Sequence, residues 1–341
     1  MHVLPPNEWV ALYEPGVIRR ECGQLDDYVV LTSPSAWRAV RDQFEHEPKG
    51  IEHVTSQEEP YNDALVEKLP RSPVVLGVGG GLAIDGAKWV AHRTGATLIL
   101  IPTIVSTGAI FQAAFPARRD GVLTIKADIA SPKVVLFDTD VIRAAPPHLN
   151  AAGMAECVCW LALVAAWRWG CDRGRGKTPW NQSAADEILD AVRQRVPKYV
   201  ADRDADGRPG RDAIRTCAEW NRERYDTWLW RKPVVQSIDH PLDSTYYWLH
   251  RKTLLHAECV ALGTLISTWL CGSGFDESLA MLKACGTRYL PRDIGCTWPQ
   301  VRTALEKIPE HHRLQGGGET IVDDRPMDDA AFSSMVKRIE E

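Results

Sequence analysis

The fold of this chain is constrained most strongly by three short apolar runs. Within these runs apolar and polar residues do not alternate. The runs are VVLGVG at residues 74–79, TLILIP at residues 97–102 and KVVLFD at residues 133–138. Continuous apolar runs of this length are typical of strands in a parallel sheet that helices cover on both faces. Upstream, the segments YVVLTS, SAWRAVRDQF, GIEHV and DALVEKL alternate strand and helix patterns. The sequence therefore predicts an α/β fold with a doubly wound parallel sheet.

The second half of the chain carries long helical patterns and no further strand pattern. The longest are LNAAGMAECVCWLALVAAWRW, SAADEILDAVRQRVPKYVA and LLHAECVALGTLISTWL. The Pro146-Pro147 pair separates the halves because neither proline continues a helix. A length of 341 residues is enough for two domains. We therefore expect a sheet domain over residues 1–146, with a side hairpin turning at Arg119-Asp120-Gly121, and an all-helical domain over residues 147–341.

A glycine-rich turn follows the first apolar run. Gly79, Gly80 and Gly81 stand directly between the strand pattern and a helical pattern, and Asp85 and Lys88 follow on neighbouring turns of that helix. Glycines at this place let backbone amides approach a pyrophosphate, whose charge the positive helix N-terminus favours. The alternative is an ordinary structural turn followed by a surface ion pair. We favour the phosphate loop, which makes the first domain a Rossmann-like dinucleotide-binding domain.

Composition argues against several classes of protein. The chain is 45% hydrophobic and 25% charged, and its net charge of −5 offers no attraction to a polyanion. Its nine cysteines include no CxxC pair, so we interpret them as structural thiols. Residues 1–16 lack the pattern of a signal peptide, and no run approaches the ~18 apolar residues of a membrane helix. These features predict a cytoplasmic protein that binds neither nucleic acid nor membrane. As separate expectations, the protein forms a homo-oligomer and acts on a small-molecule or peptide substrate.

The glycine segment belongs to a longer pattern, Gly-Gly-Gly-x-x-x-Asp-x-x-Lys. This pattern resembles the dinucleotide-binding element of the superfamily of iron-containing alcohol dehydrogenases, glycerol-1-phosphate dehydrogenases and dehydroquinate synthases. The segments IPTIVSTG and SPKVVLFDTDVIRAAPPHLNAAGMAE are similar to that superfamily's second cofactor-contacting segment and to its junction with a helical domain. The resemblance covers most of residues 26–270. It implies that NAD(P) is bound by Gly79, Gly80, Gly81, Asp85, Lys88, Thr103 and Ser106.

Three residues of the helical half are candidate metal ligands: Glu156, His240 and His256. From sequence alone each is unremarkable, since a histidine on an apolar helix is more often a hydrogen-bonded core residue. The superfamily's ligands, however, occur in Ala-Gly-x-x-Asp/Glu, Glu-His or Gly-His, and Leu-His-Gly-Glu elements, and the three residues stand in similar elements here. The resemblance implies that they form the catalytic site and hold one divalent ion, Zn²⁺, Fe²⁺ or Ni²⁺. Such an ion would lower the pKa of a substrate hydroxyl and favour hydride transfer to the nicotinamide.

Further positions distinguish the branches of the superfamily. Its cyclases carry a lysine three residues after the acidic ligand and a second histidine four residues after the first, where this chain has Cys159 and Ser244. Its iron-type dehydrogenases carry a histidine four residues after the acid, where this chain has Trp160. The GTLIS run after His256 is most similar to the glycerol-1-phosphate dehydrogenase branch. The resemblance thus predicts a metal-dependent NAD(P) oxidoreductase that acts on a secondary alcohol or its ketone, for example glycerol 1-phosphate.

Three different functions stay open. The chain lacks the Ser-Gly-Ser-Glu-His element of the glycerol-1-phosphate branch, and its tryptophans would suit a larger, less polar substrate, such as the threonine-like alcohol of a daptide-type peptide. The tryptophans of the helical half include Trp160, Trp167, Trp169, Trp228, Trp230 and Trp248. The second function is that of a sugar-phosphate cyclase of the dehydroquinate synthase type. The third is that of a lapsed enzyme which retains only binding.

Two features of the reaction follow less directly from the sequence. Asp239, Asp243 and Glu258 are candidate proton acceptors, with no basis for ranking them. The strand YVVLTS ends at Thr32-Ser33-Pro34-Ser35 without the acidic residue that would hold the 2′-hydroxyl of NAD and repel a 2′-phosphate. We therefore predict that NADP(H) is tolerated.

Overall fold

The computed structural model describes residues 10–127, 129–175, 178–226, 237–325 and 327–341. By its internal contacts the chain divides into two compact units. The first comprises Met1–Asn150 and Asp202–Asp226, and the second comprises Ala151–Ala201 and Thr227–Glu341. The division falls after Asn150 rather than after residue 146, and the segment Asp202–Asp226 belongs to the first unit, whereas the sequence predicts an uninterrupted helical domain over residues 147–341. Trp228 and Trp230 lie outside the described residues.

The strands of the described residues, in chain order, are β1 Val10–Glu14, β2 Tyr28–Thr32, β3 Gly50–His53, β4 Val74–Gly79, β5 Thr97–Pro102, β6 Ala114–Arg119, β7 Val122–Ala127 and β8 Val134–Asp138. The helices are α1 Val17–Cys22, α2 Pro34–Val40, α3 Glu59–Lys68, α4 Gly81–Thr94, α5 Thr139–Ala144, α6 Pro147–Ala151, α7 Ala155–Asp172, α8 Gln182–Ala201, α9 Arg211–Asp226, α10 Asp239–His250, α11 His256–Cys271, α12 Phe275–Cys285, α13 Pro291–Ile294, α14 Trp298–Leu314, α15 Ile321–Asp324 and α16 Asp329–Glu340.

The first unit is built on a six-stranded parallel sheet with the order β1-β8-β5-β4-β2-β3. Every residue of β2 is buried, and so are all residues of β4, β5 and β8 after the first. Burial of both faces explains the continuous apolar runs, and the predicted doubly wound sheet is confirmed. The edge strand β1 was not predicted, because most of its residues are partly exposed and its sequence carries no such run.

The side hairpin is also confirmed. Strands β6 and β7 pair antiparallel, and Arg119 is opposite Val122 at the turn. The two residues between them, Asp120 and Gly121, have φ of 53° and 79°. Positive φ at both turn residues matches the right-handed twist of the flanking strands, which is why an Asp-Gly pair is favoured there.

The topology of the sheet creates a crevice at the ends of two central strands. From β2 the chain continues to β3 on one side, whereas from β4 it continues to β5 on the opposite side. The carboxyl ends of β2 and β4 therefore face helices that leave in opposite directions. Such a switch point is where open α/β sheets bind nucleotides. The three glycines at the end of β4 lie at this point.

The second unit is helical throughout its described part. Helix α7 packs against α11, and α11 packs against α10. Helices α6 and α7 follow each other closely, and together residues 147–172 are long and apolar enough to cross a membrane, but 89% of their most apolar 18-residue window is buried inside the protein. Trp160, Trp167 and Trp169 on α7 are at most 4% exposed. These apolar residues therefore form the core of the unit.

Candidate metal centre and cofactor loop

Three helices of the second unit bring the predicted metal ligands together. Glu156 lies in the first turn of α7 and is fully buried, His240 lies in the first turn of α10, and His256 is the first residue of α11. The Nε2 atom of His256 is 3.1 Å from Glu156 Oε1, and the Nε2 atom of His240 is 3.6 Å from Glu156 Oε2. The two imidazole side chains remain 30% and 36% exposed. Both imidazoles thus turn the same ring nitrogen toward one buried carboxylate.

The second ring nitrogen of each histidine contacts an aspartate. His240 Nδ1 is 2.7 Å from Asp239 Oδ2, and His256 Nδ1 is 2.9 Å from Asp243 Oδ2. The Ser237 hydroxyl donates a hydrogen bond to Asp239. Both aspartate side chains are largely buried. Each imidazole is therefore held between two carboxylates.

The electrostatics of the centre favour positive charge. Burial alone would lower the pKa of His240, but Asp239 and Glu156 outweigh it and raise the pKa to about 9. Burial opposes protonation of His256 in the same way, yet Asp243 and Glu156 raise its pKa to about 10. For Asp239, burial acts to raise the pKa, but the contacts with His240 and Ser237 hold it below its ordinary value. Asp239 therefore contributes a negative charge to the centre at neutral pH, and this charge attracts a cation.

The donor set fits a divalent ion. One ligand atom each from Glu156, His240 and His256 lie within 4.8 Å of one another. Two imidazoles and one carboxylate form a usual catalytic set for zinc, which leaves a coordination position open. Cys159, Asp239 and His240 form a second group within the same distance. Because Asp239 already binds the Nδ1 atom of His240, we favour the first group.

The candidate proton acceptors have different surroundings. Asp239 and Asp243 accept hydrogen bonds from the two histidines. Glu258 is 4% exposed, and burial raises its pKa to about 7, although Arg288 opposes this shift. Among the described residues its Oε1 atom has no hydrogen-bond partner. Glu258 is therefore poised to change its protonation near neutral pH, whereas the pKa of Asp239 is lowered.

The glycine loop of the first unit has the geometry of a phosphate site. Gly79 ends β4 with φ of 140°, a conformation that residues with a side chain rarely adopt. A Cβ on Gly79 would stand 3.2 Å from the Cβ of Ala83. Gly80 precedes the first turn of α4, and no side chain in the described part of the chain caps that turn. The uncapped amides of α4 are therefore available to an anion.

Asp85 and Lys88 lie beneath the loop, so the alternative of a surface ion pair is wrong. Their exposed fractions are 1% and 0%, and Lys88 Nζ is 3.5 Å from Asp85 Oδ1. Lys88 donates to the carbonyl of Ala109 and, at 3.3 Å, to that of Ala114. The pair therefore fixes the segment that follows β5. Direct contact of either side chain with a cofactor stays a prediction.

Thr103 and Ser106 lie in that segment, directly beside the glycine loop. Both are buried, and the Thr103 amide donates to the Gly79 carbonyl at 3.3 Å. The Val105 amide donates to Asn150 Oδ1 at 3.3 Å, and the Cys217 thiol donates to the Val105 carbonyl at 3.3 Å. The structure thus brings the predicted cofactor residues together. Sequence reasoning missed Asn150 and Cys217, since no local pattern signals contacts between residues so distant along the chain.

Known proteins resemble this chain in sequence along most of its length. Residues 13–146 match the family model described as iron-containing alcohol dehydrogenase. The glycerol-1-phosphate dehydrogenase (NAD(P)+) of Hyperthermus butylicus is 24% identical over 319 residues, which cover 90% of this chain and 87% of the relative. That of Aeropyrum pernix is 25% identical over 267 residues, which cover 77% and 74%. The predicted resemblance to the iron-containing alcohol dehydrogenase superfamily is confirmed.

Solved structures agree with this resemblance at the level of the fold. A probable glycerol dehydrogenase from Sinorhizobium meliloti 1021 superposes with a TM-score of 0.69 at 17% identity, covering 100% of this chain and 99% of that protein. The glycerol dehydrogenase from Schizosaccharomyces pombe gives 0.68 at 18% identity, covering 99% and 91%. The predicted superfamily, the fold class and the class of enzyme, a metal- and NAD(P)-dependent alcohol dehydrogenase, are confirmed.

Proposed function

We propose that this chain is a polyol dehydrogenase of the iron-containing alcohol dehydrogenase superfamily that interconverts a secondary alcohol and its ketone, with glycerol 1-phosphate and dihydroxyacetone phosphate as the first substrate pair to test. The observation that carries the proposal is the convergence of His240 Nε2 and His256 Nε2 on the buried carboxylate of Glu156. The names of the sequence relatives and of the structural neighbours support the polyol class.

The residues of the two units take separate parts in this reaction. Glu156, His240 and His256 would hold a divalent ion, which supplies Lewis-acid polarisation of the substrate oxygen. Gly79, Gly80 and Gly81 would admit the pyrophosphate of NAD(P) to the amides of α4, and Thr103 and Ser106 would contact the same cofactor. Asp85 and Lys88 would hold that binding surface in place from beneath.

The described contacts do not favour a cyclase, a peptide-modifying enzyme or a lapsed enzyme. Where a cyclase has a lysine and a second histidine, Cys159 is 3% exposed and the Ser244 hydroxyl donates to the Pro241 carbonyl. Trp160, Trp167 and Trp169 are buried in the core of the helical unit, so they do not line a pocket for a peptide. A lapsed enzyme has no need of two imidazoles held with their Nε2 atoms together.

The test is to change His240 and His256 separately to alanine and to measure metal content, cofactor binding and hydride transfer. Each substitution should remove a ligand, and therefore most metal retention and turnover, without changing cofactor binding. His250→Ala is the matched control, because this histidine lies on α10 but outside the cluster. Turnover should be assayed against dihydroxyacetone phosphate, dihydroxyacetone, simple secondary ketones and threonine-terminated peptides. Full metal content and activity in both ligand variants would show that these are core histidines.

A further inference from the structure

We propose that Asp239 and Asp243 are positioning residues that hold the two imidazoles by their Nδ1 atoms, direct both Nε2 atoms toward Glu156, and thereby set the affinity of the centre for a divalent cation. This inference rests on the proposed function. It assigns a role to the two residues that contact the histidine ligands of the same site. It concerns residues that do not themselves contact the ion or the substrate.

The first argument is the tautomer that each aspartate selects. An ionised carboxylate only accepts hydrogen bonds, so the Nδ1 atoms of His240 and His256 must be the donors in the contacts of 2.7 and 2.9 Å. In a neutral imidazole the proton on Nδ1 leaves the lone pair on Nε2. A metal ion binds only the neutral imidazole, and the aspartate contact then places the free lone pair on Nε2, the atom on the side of Glu156. An imidazole bound to a carboxylate in this way is also a more basic metal ligand.

The second argument is that the aspartates are themselves held in place. Asp239 and Asp243 are four residues apart on α10 and so lie on the same face of this helix. At its start, the Ile238 amide donates to the Ser267 hydroxyl of α11 at 2.9 Å. A Cβ on Gly263 of α11 would be 2.6 Å from the Cα atom of Asp239. The absence of a side chain at Gly263 therefore lets the two helices meet where Asp239 lies.

The third argument is a contrast with a further histidine of the same unit. His311 is fully buried, and its Nδ1 atom lies 2.9 Å from the hydroxyl of Thr245, which is also on α10. The ring of His311 stacks on Trp248 at 4.9 Å. A core histidine in this protein is thus held by a neutral hydroxyl and an aromatic ring. His240 and His256 instead have ionised partners and stay about one-third exposed.

The experiment compares Asp239→Ala, Asp239→Asn, Asp243→Ala and Asp243→Asn in the full chain. Zinc affinity is measured by competition with a chromophoric chelator, and the geometry of the site by the visible absorption of the cobalt-substituted protein. Each alanine variant should weaken zinc binding by about 10- to 100-fold and alter the cobalt spectrum, as expected for loss of an outer contact to a ligand. Each asparagine variant should recover part of this affinity, because its amide oxygen still accepts the Nδ1 proton.

The matched control is Thr245→Val. This substitution removes a buried hydrogen bond of 2.9 Å, as long as the contact between Asp243 and His256. It comes from the same helix, but its histidine is outside the ligand cluster. It should lower the melting temperature and leave zinc affinity and the cobalt spectrum unchanged. The inference is overturned if the alanine variants bind zinc as tightly as the wild type, or if Thr245→Val loses as much affinity as they do. A wild-type protein that binds no zinc would instead refute the proposed function.

Discussion

The substitution Gly263→Ala should damage the metal centre without changing a ligand. The added Cβ would be 2.6 Å from the Cα atom and 2.9 Å from the carbonyl oxygen of Asp239. Because carbon atoms pack at about 3.5 Å or more, the start of α10 must move by about 1 Å. Asp239 and His240 lie in this first turn and move with it, so the movement displaces His240 Nε2 from its position 3.6 Å from Glu156 Oε2, which lies on another helix. Overpacking of this kind costs about 1–3 kcal/mol of stability.

We expect zinc affinity of the Gly263→Ala protein to fall by about 10- to 100-fold, the same effect as direct loss of the Asp239 contact. Chelator competition measures the affinity, and thermal unfolding measures the stability. The control is Gly272→Ala at the carboxyl end of α11. Gly272 has φ of 70° and open space around it, so alanine there costs ~1–2 kcal/mol of strain but does not displace α10. If both variants are destabilised but neither loses zinc affinity, the close approach of the helices does not position Asp239.

Four further outcomes are expected. The purified protein should contain about one divalent ion per chain, and dialysis against a chelator should abolish turnover until the ion is restored; full activity of metal-free protein would contradict this. Gly80→Val should weaken cofactor binding and leave the metal in place, because its side chain would block the approach of the pyrophosphate; calorimetric titration with NADH measures this. Lys88→Met removes the ammonium beside buried Asp85, and it should cost about 3–5 kcal/mol of stability and raise the KM for the cofactor more than it lowers kcat. Both NADPH and NADH should bind, because β2 ends at Thr32 and lacks the acidic residue that would repel the 2′-phosphate. A fluorescence titration that detects binding of NADH but not of NADPH would refute this explanation.

Much of the first unit could be predicted because its central strands are buried on both faces. A strand that is buried on both faces must be apolar throughout. The sequence therefore predicts β2, β4, β5 and β8 correctly. Strand β1 forms its hydrogen bonds with β8 at the edge of the sheet and needs no such run. Burial of the Asp85–Lys88 pair was equally hidden, since the carbonyls of Ala109 and Ala114 that hold Lys88 come from a later part of the chain.

The metal centre was only partly accessible from the sequence. Glu156, His240 and His256 have no local spacing in common, and only the resemblance to the superfamily selected them. Asp239 and Asp243 could not be ranked, because their partners depend on how α10 packs on α11. Periodicity predicts that a helix exists and which face is apolar, but a distance such as that between Asp243 and His256 is decided by tertiary packing.

The return of residues 202–226 to the first unit has a consequence for folding during synthesis. Helix α9 packs against the turn Gly108–Phe111 and against α5, with Ile214 and Cys217 fully buried. When residue 150 leaves the ribosome, the surface that α9 covers is still open, and the segment carrying Thr103 and Ser106 lacks its contact with Cys217. The first unit therefore cannot complete its fold before some fifty residues of the second unit have also emerged. Nascent chains of this protein expose an unfinished nucleotide-binding half for longer than chains in which that half is contiguous.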